Sequence, residues 1–375
     1  MRVFVKKSIL FLFPVFIIIL FPFVIFFYNG EFISTKKIVD MQLNGELVLL
    51  GKILPNIGDR YSKLEILKEK KPDVITLGNS RVLQIRSKFF NNETVFFNGG
   101  GISNLRGFKD VLEKLSDDEK PDVIIVGLEQ SYFSIASEQE DIMDLAVDQS
   151  EANFTLTIVN GWRNFYKDLF NGKYQLSKFF IKDNGIKKIG IRANLKNFGT
   201  INDGSLYYGD YLVSINDPNN EDYHFEDTLR RIEKGSNLFF QGDRTSEKSL
   251  ILLSDFLSYC SDNNIYVIGF LPPYAQEIYD KMYASGKYEY VFNLKKYLSP
   301  VFKQYNYNFF DFTNMSFFGA PKEEIIDGLH ASEKAYLRLF IEMAENDDKL
   351  GDLVDIGYLK NKLKDEKGNY DVFKF

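Results

Sequence analysis

The sequence predicts an α/β fold, a three-layer sandwich with a parallel sheet between helices, preceded by one transmembrane helix. Three observations predict it. Short, continuously apolar runs bounded by turn residues recur along the chain, the pattern of strands buried on both faces. Segments of helical periodicity lie between them, and strands alternating with helices build a parallel sheet. Near the N-terminus Ser8 to Tyr28 carries no charge; about 21 helical residues reach roughly 31 Å, enough for a bilayer core.

Arg2, Lys6 and Lys7 precede the apolar run. The positive-inside rule then keeps the N-terminus cytoplasmic and exports the remainder of the chain, although Lys36 and Lys37 weaken the asymmetry. A cleaved signal peptide is the alternative. Its apolar region would be about 7–15 residues long, with small residues at the cleavage site; here the run is longer and Asn29-Gly30-Glu31-Phe32 comes after it. Pro14 and Pro22 are tolerable within a spanning helix. Residues 1–28 are therefore expected to be an uncleaved single-pass anchor in the cell membrane, and 29–70 a juxtamembrane segment, helical in places.

The 375 residues carry a net charge of −6, and the first 28 hold three positive charges and no negative ones, which leaves −9 on the remainder. An acidic exported domain is not drawn to nucleic acid, which needs a basic face. The single cysteine, Cys260, excludes an internal disulfide and a multi-cysteine zinc site; it is expected to be buried. Two histidines, His224 and His330, argue against a histidine-rich metal centre. No metal or cofactor is expected.

From Lys71 the pattern can be followed element by element. Expected strands are Val74 to Gly78, Thr94 to Asn98, Val123 to Gly127, Ile265 to Phe270 and Asn308 to Phe312. Expected helices are Leu105 to Leu115, Glu247 to Cys260 and Ala331 to Ala344. Ligands in such folds sit beyond the carboxyl ends of the strands. That places Gly78-Asn79-Ser80, Asn98 to Asn104 and Gly127 to Gln130 around one crevice. Between about 134 and 244 the pattern changes: Trp162 to Phe170 is an amphipathic helix, and Asn202-Asp203-Gly204 is a turn signal. This stretch reads as an insertion or lid on a domain of residues 71–350, with 351–375 as a peripheral tail.

Three blocks carry candidate chemistry. A serine directly after a strand, Ser80, either caps the next turn or presents its hydroxyl and N–H to the crevice. Asn98-Gly99-Gly100-Gly101 is either an ordinary turn or a place where backbone N–H groups approach a ligand; the dinucleotide spacing GxGxxG is absent. Asp327 and His330 stand three apart before the last helical pattern. There the imidazole can take a proton from Ser80 and the carboxylate can fix its tautomer.

Taken together the blocks resemble the SGNH (GDSL-like) hydrolase superfamily, with its flavodoxin-like sheet, over residues 71–345. Gly78-Asn79-Ser80 matches the Gly-Asp-Ser block with Asn79 in place of Asp, the glycines around Gly100 match the second block, and Asp327 to His330 match the closing Asp-x-x-His. Leu271-Pro272-Pro273-Tyr274 is similar to the membrane-anchored, exported branch that acts in acylation of cell-surface polymers, as in alginate acetylation and teichoic-acid D-alanylation. The resemblance implies Ser80, His330 and Asp327 as catalytic residues. Its oxyanion hole would use the N–H of Ser80 and of Gly100 (or Gly101). The third block usually adds an Asn, which is missing here, so either Gln130 donates or the donor is lost. One lost donor costs about 10²–10³ in rate. Asn79, Arg81, Asn104 and Tyr274 are candidates for binding substrate, although Arg81 equally suits a structural ion pair. Trp162, Tyr207, Tyr208 and Tyr211 either stack on sugar rings or pack within the lid. The expected function is a serine acyl esterase or O-acyltransferase acting on an ester of a cell-surface glycan. The alternative is a non-catalytic partner that binds polymer or docks a membrane-bound O-acyltransferase.

Overall fold

The computed structural model describes residues 2–54, 58–138, 154–174, 176–180, 185–218, 220 and 222–373. Residues 139–153 of the expected insertion, and 55–57 of the juxtamembrane segment, lie outside the described residues. The chain gathers into two compact units. One comprises 1–62, 147–202 and 207–211; the other comprises 63–146, 203–206 and 212–375.

The first unit opens with helix α1 (Arg2–Tyr28), which contains Pro14 and Pro22. Its Phe11–Tyr28 window has a mean hydropathy of 2.7 and is long and apolar enough to cross a membrane. Phe11, Phe13 and Phe16 are exposed, whereas Ile25 and Phe26 are fully buried. The segment expected to be a mere juxtamembrane lead carries helix α2 (Thr35–Leu43) and strand β1 (Val48–Leu50). Ser34 caps α2 by accepting the Lys37 N–H, the usual job of serine before a helix.

Helix α3 (Gly58–Lys70) leads to β2 (Val74–Leu77), β3 (Phe96–Asn98), α4 (Arg106–Glu113) and β4 (Val123–Gly127). Each strand falls inside an expected apolar run, and α4 inside its expected helix.

The chain then supplies the rest of the first unit: α5 (Phe154–Phe170), β5 (Lys187–Ile189), α6 (Ile191–Lys196) and β6 (Gly199–Thr200). Strand β1 pairs parallel with β5 and antiparallel with β6. Ile25 and Phe26 of α1 share an apolar cluster with Leu54, Phe165 and Ile191, and Trp162 and Tyr166 pack on it. The Glu31 carboxylate accepts N–H bonds from Ile53, Leu54 and Ile191. The expected insertion is thus divided. Its residues 154–202 group with α1, and its residues from 212 onward group with the second unit. The reason is apolar surface: α5 buries Phe165 against Phe26.

The remaining elements are β7 (Leu206–Tyr207), α7 (Glu226–Lys234), α8 (Glu247–Asp262), β8 (Tyr266–Leu271), α9 (Gln276–Ser285), α10 (Glu289–Gln304), β9 (Asn308–Asp311), α11 (Glu333–Glu345), α12 (Asp348–Gly351) and α13 (Ile356–Asp365). The sheet of the second unit has the order β3-β2-β4-β8-β9, and every pair is parallel. Numbered by appearance within this sheet the order is 2-1-3-4-5, a doubly wound arrangement whose switch point lies between β2 and β4. Val123, Ile125, Ile268 and Phe270 share one apolar cluster with Ile278, Val291 and Phe340. The alternate residues Ile124, Val126 and Val267 are fully buried as well, so both faces of the sheet are covered. Cys260 is buried in α8, and burial pushes its thiol pKa up.

The tail is not peripheral. Lys334 Nζ donates to the carbonyls of Glu366 and Gly368, and Glu333 accepts the Val372 N–H. Val372 and Phe373 are buried, with the Phe373 ring 6.0 Å from that of Phe89. Residues 366–373 are thereby clipped to the start of α11.

Candidate active site

The site is built on the turn that leaves β2. Gly78 has φ +151°, and a Cβ there would lie 2.6 Å from Val82 Cγ1 and 2.9 Å from the Gly127 carbonyl oxygen. Only glycine makes this turn without a clash. A 3₁₀ turn, Ser80–Gln84, comes next. Asn79 caps it by accepting the Arg81 N–H at 3.0 Å, and Asn79 Nδ2 donates to Glu129 at 2.8 Å. The far end is held by Asn98, whose amide donates to the carbonyls of Val82 and Ile85, each at 2.9 Å. Ser80 itself is exposed.

Ser80 Oγ lies 2.9 Å from His330 Nε2. His330 Nδ1 lies 2.8 Å from Asp327 Oδ2 and 3.0 Å from Oδ1. The Asp327 carboxylate also accepts the N–H groups of Leu329 and His330, at 2.8 and 2.7 Å. The backbone therefore wraps around the carboxylate, an Asx-type turn, which is why an acid and an imidazole three residues apart face one another. A bridge between Ile325 and Ala331 closes the loop. With Nδ1–H donated to Asp327, Nε2 is left to accept the Ser80 proton, a tautomer assigned from these contacts. Burial works to lower the His330 pKa, but the charge and hydrogen bond of Asp327 work the other way, and the net is above the ordinary 6.5. Burial likewise works to raise Asp327, and His330 with the two backbone donors brings it below its usual 3.8.

The glycine side differs from expectation. The Gly100 N–H donates to Asn98 Oδ1 at 2.9 Å, and the Gly101 N–H donates to the Gly78 carbonyl at 2.8 Å. Lys63 Nζ pins this turn by donating to the carbonyls of Asn98, Gly100 and Gly204. Gln130 is fully buried. Its amide donates to the Pro272 carbonyl at 2.8 Å and to Thr313 Oγ1 at 3.3 Å, while its Oε1 accepts from Arg81. Neither Gly100 nor Gln130 is thus free to meet an oxyanion. The Ser80 N–H stands at the first position of its turn, where a helical turn has no internal acceptor.

Two expected substrate contacts are instead part of the floor. Arg81 is 1% exposed and Glu129 0%. Arg81 Nη1 reaches both Glu129 oxygens at 3.0 and 2.9 Å and Gln130 Oε1 at 2.8 Å; Nη2 donates to the Pro272 carbonyl at 2.8 Å. The guanidinium lies 4.4 Å from the centre of the buried Tyr274 ring. Loops following β2, β4 and β8 are tied together by this one cation. Asn104 stands just before α4 and its side chain accepts the Gly107 N–H at 2.9 Å. In the first unit Tyr208 is buried, 5.7 Å from the Phe198 ring, and Trp162 packs in the apolar cluster. Packing thus accounts for these two aromatics. The residue missed by sequence reasoning is Glu129; a glutamate just past a fully apolar strand, matching a lone arginine past its neighbour, was the available signal.

A cavity of about 540 Å³ in the second unit is lined by Ser103, which follows the glycine turn, by Ser131, which follows Gln130, and by Tyr132, Ser137, Arg231 and Asn237 among others. No family model, curated protein or solved structure matches the chain.

Proposed function

We propose that the chain is a membrane-anchored serine acyl esterase or O-acyltransferase with an SGNH-type three-layer α/β/α domain. Its N-terminus is cytoplasmic and its site lies outside the membrane. Its substrate is an ester of a cell-surface polysaccharide. The observation that carries the reading is the line from exposed Ser80 through His330 to Asp327, with contacts of 2.9 and 2.8 Å. As Ser80 Oγ attacks the ester carbonyl, its proton passes to His330 Nε2, and Asp327 stabilises the imidazolium. The Ser80 N–H donates to the oxyanion. His330 then gives the proton to the leaving oxygen, and an acyl-serine remains. Water releases the acyl group in an esterase; a glycan hydroxyl takes it in a transferase.

The engaged amides of Gly100 and Gln130 favour a second reading, a non-catalytic partner that binds polymer or docks a membrane-bound O-acyltransferase. Labelling with a fluorophosphonate and hydrolysis of an acetyl ester separate the two. The wild-type chain should label and turn over, while Ser80→Ala and His330→Ala should do neither. A wild-type chain that is folded yet inert leaves only the partner reading.

A further inference from the structure

Asp222 stands just before α7, and its carboxylate gathers two elements far apart in sequence. Oδ1 accepts the Thr228 N–H at 2.8 Å, and Oδ2 accepts the Thr228 hydroxyl at 2.8 Å and the Gly328 N–H at 3.0 Å. Thr228 belongs to the opening of α7. Gly328 lies 106 residues beyond Asp222, between Asp327 and His330. The approach is close: Gly328 is buried, and a Cβ there would lie 2.5 Å from Thr228 Cγ2 and Oγ1. Glycine is what lets α7 come this near. Between Asp222 and α7 the chain passes through two left-handed residues, His224 at φ +52° and Phe225 at φ +59°. Side chains resist this conformation, so the surroundings must hold it, and such outliers gather at functional sites. Phe225 and Leu229 pack against the apolar cluster that contains Ile325, Leu329 and Ala331. The Tyr288 hydroxyl, just before α10, donates to the Ile232 carbonyl at 2.7 Å and steadies α7 from the other side.

The bonds inside the Asp327–His330 loop do a different job. Asp327 takes the N–H groups of Leu329 and His330, and the Ile326 N–H donates to the His330 carbonyl at 2.8 Å. These set the loop's own shape, and with it the contact of acid and imidazole. They do not set where the loop stands against the turn that carries Ser80. Gly328 reaches outward on both sides, its N–H to Asp222 and its carbonyl to the Ala275 N–H at 3.4 Å. Of the two, the bond to Asp222 is the shorter, and a carboxylate is the stronger acceptor.

We propose that Asp222 is a positioning residue, which ties the opening of α7 to Gly328 and so fixes where His330 stands relative to Ser80. This rests on the serine reading of the site. Residues 222–234 are then a clamp on the acid–base loop and not a lid. In the full chain in detergent, a fluorophosphonate counts the competent serines and hydrolysis of an acetyl ester gives the turnover of each. In Asp222→Ala, kcat per labelled serine should fall by about tenfold or more, toward the ~10²-fold that a 1 Å misplacement costs, with KM nearly unchanged. A merely structural role would lower the number of labelled serines and leave the turnover of each as in wild type; that result overturns the clamp. Gly328→Ala reads the same contact from the loop, whether or not Asp222→Ala folds. Its turnover per serine should fall too, and adding Thr228→Gly, which makes room for the new methyl, should restore most of it. Wild-type turnover per serine in Gly328→Ala, or no recovery in the pair, likewise overturns the clamp. A wild-type chain that neither labels nor turns over sinks the serine reading, and the clamp with it.

Discussion

The two sides of Ser80 are built for different ends. Toward His330, each side chain keeps its reactive atom available: the hydroxyl is exposed, Nε2 is an acceptor, and Asp327 already holds the ring. Toward the glycine turn, the polar groups are engaged in holding the chain: Gly100 to Asn98, Gln130 to Pro272, Arg81 to Glu129. On the proposed reading, activating a nucleophile and stabilising its oxyanion are separable, and the second would rest on the N–H of Ser80. A hole with fewer donors would then set the rate below what the relay alone would permit.

The largest expected effect breaks the relay side. Asp327→Asn should lower kcat on an acetyl ester by about 10⁴, the loss typical when the carboxylate fixing the tautomer is removed. The same variant sharpens the pH reading. Because His330 is raised above 6.5, wild-type activity should climb with pH along an acid limb above that value. In Asp327→Asn the limb should move down, since the charge that raised it is gone. For folding the signs are opposite within the pair. The raised His330 stabilises fully below pH 6.5 and loses its contribution as pH rises through its folded value. The lowered Asp327 stabilises above pH 3.8 and loses its contribution as pH falls through its folded value.

Next comes the scaffold side. Arg81→Ala strands Glu129 without its cation and should cost about 3–5 kcal/mol in chemical denaturation. Replacing both, Arg81→Met with Glu129→Leu, should restore most of that stability. Activity should stay low, because Asn79 loses its acceptor beside Ser80. Full activity in the double variant would mean that the floor does not position the serine.

A smaller effect tests the division itself. Gln130→Ala should reduce kcat less than tenfold while costing about 1–3 kcal/mol of stability through the groups it leaves unpaired. A loss of about 10²–10³ in kcat at unchanged stability would return Gln130 to the oxyanion hole. The last effect is remote from Ser80 and touches stability alone. Burial pushes Glu333 up to about 7, against the opposing pull of Arg86 and the Val372 N–H. Its contribution is complete below pH 4.5 and is lost as pH rises through about 7. Denaturation of Glu333→Gln across this range should show a flatter pH dependence than wild type.

Apolar runs made the parallel sheet legible, because strands buried on both faces have little freedom in composition. The closing Asp-x-x-His was legible for a similar reason: the carboxylate organises its own loop. Helix α10 was not anticipated. Tyr290, Val291, Leu294, Leu298 and Phe302 form its buried stripe, but Pro300 lies inside the helix and reads as a breaker. The oxyanion side was illegible at the level that matters. The residue types were visible, but whether an N–H is free depends on Asn98, Pro272 and Thr313, which come from elsewhere in the chain. The packing of Trp162 on the apolar cluster that includes Ile25 and Phe26 was hidden in the same way: an apolar stripe on a helix does not say what it will face.

Chain order gives the serine a latency. Ser80 is synthesised 250 residues ahead of the imidazole it must meet, and the stretch that fastens the start of α11 comes later still. A nascent or truncated polypeptide therefore carries a hydroxyl with no base beside it. On the proposed reading, the nucleophile would be switched on only when the later third of the chain has been made and has closed over it.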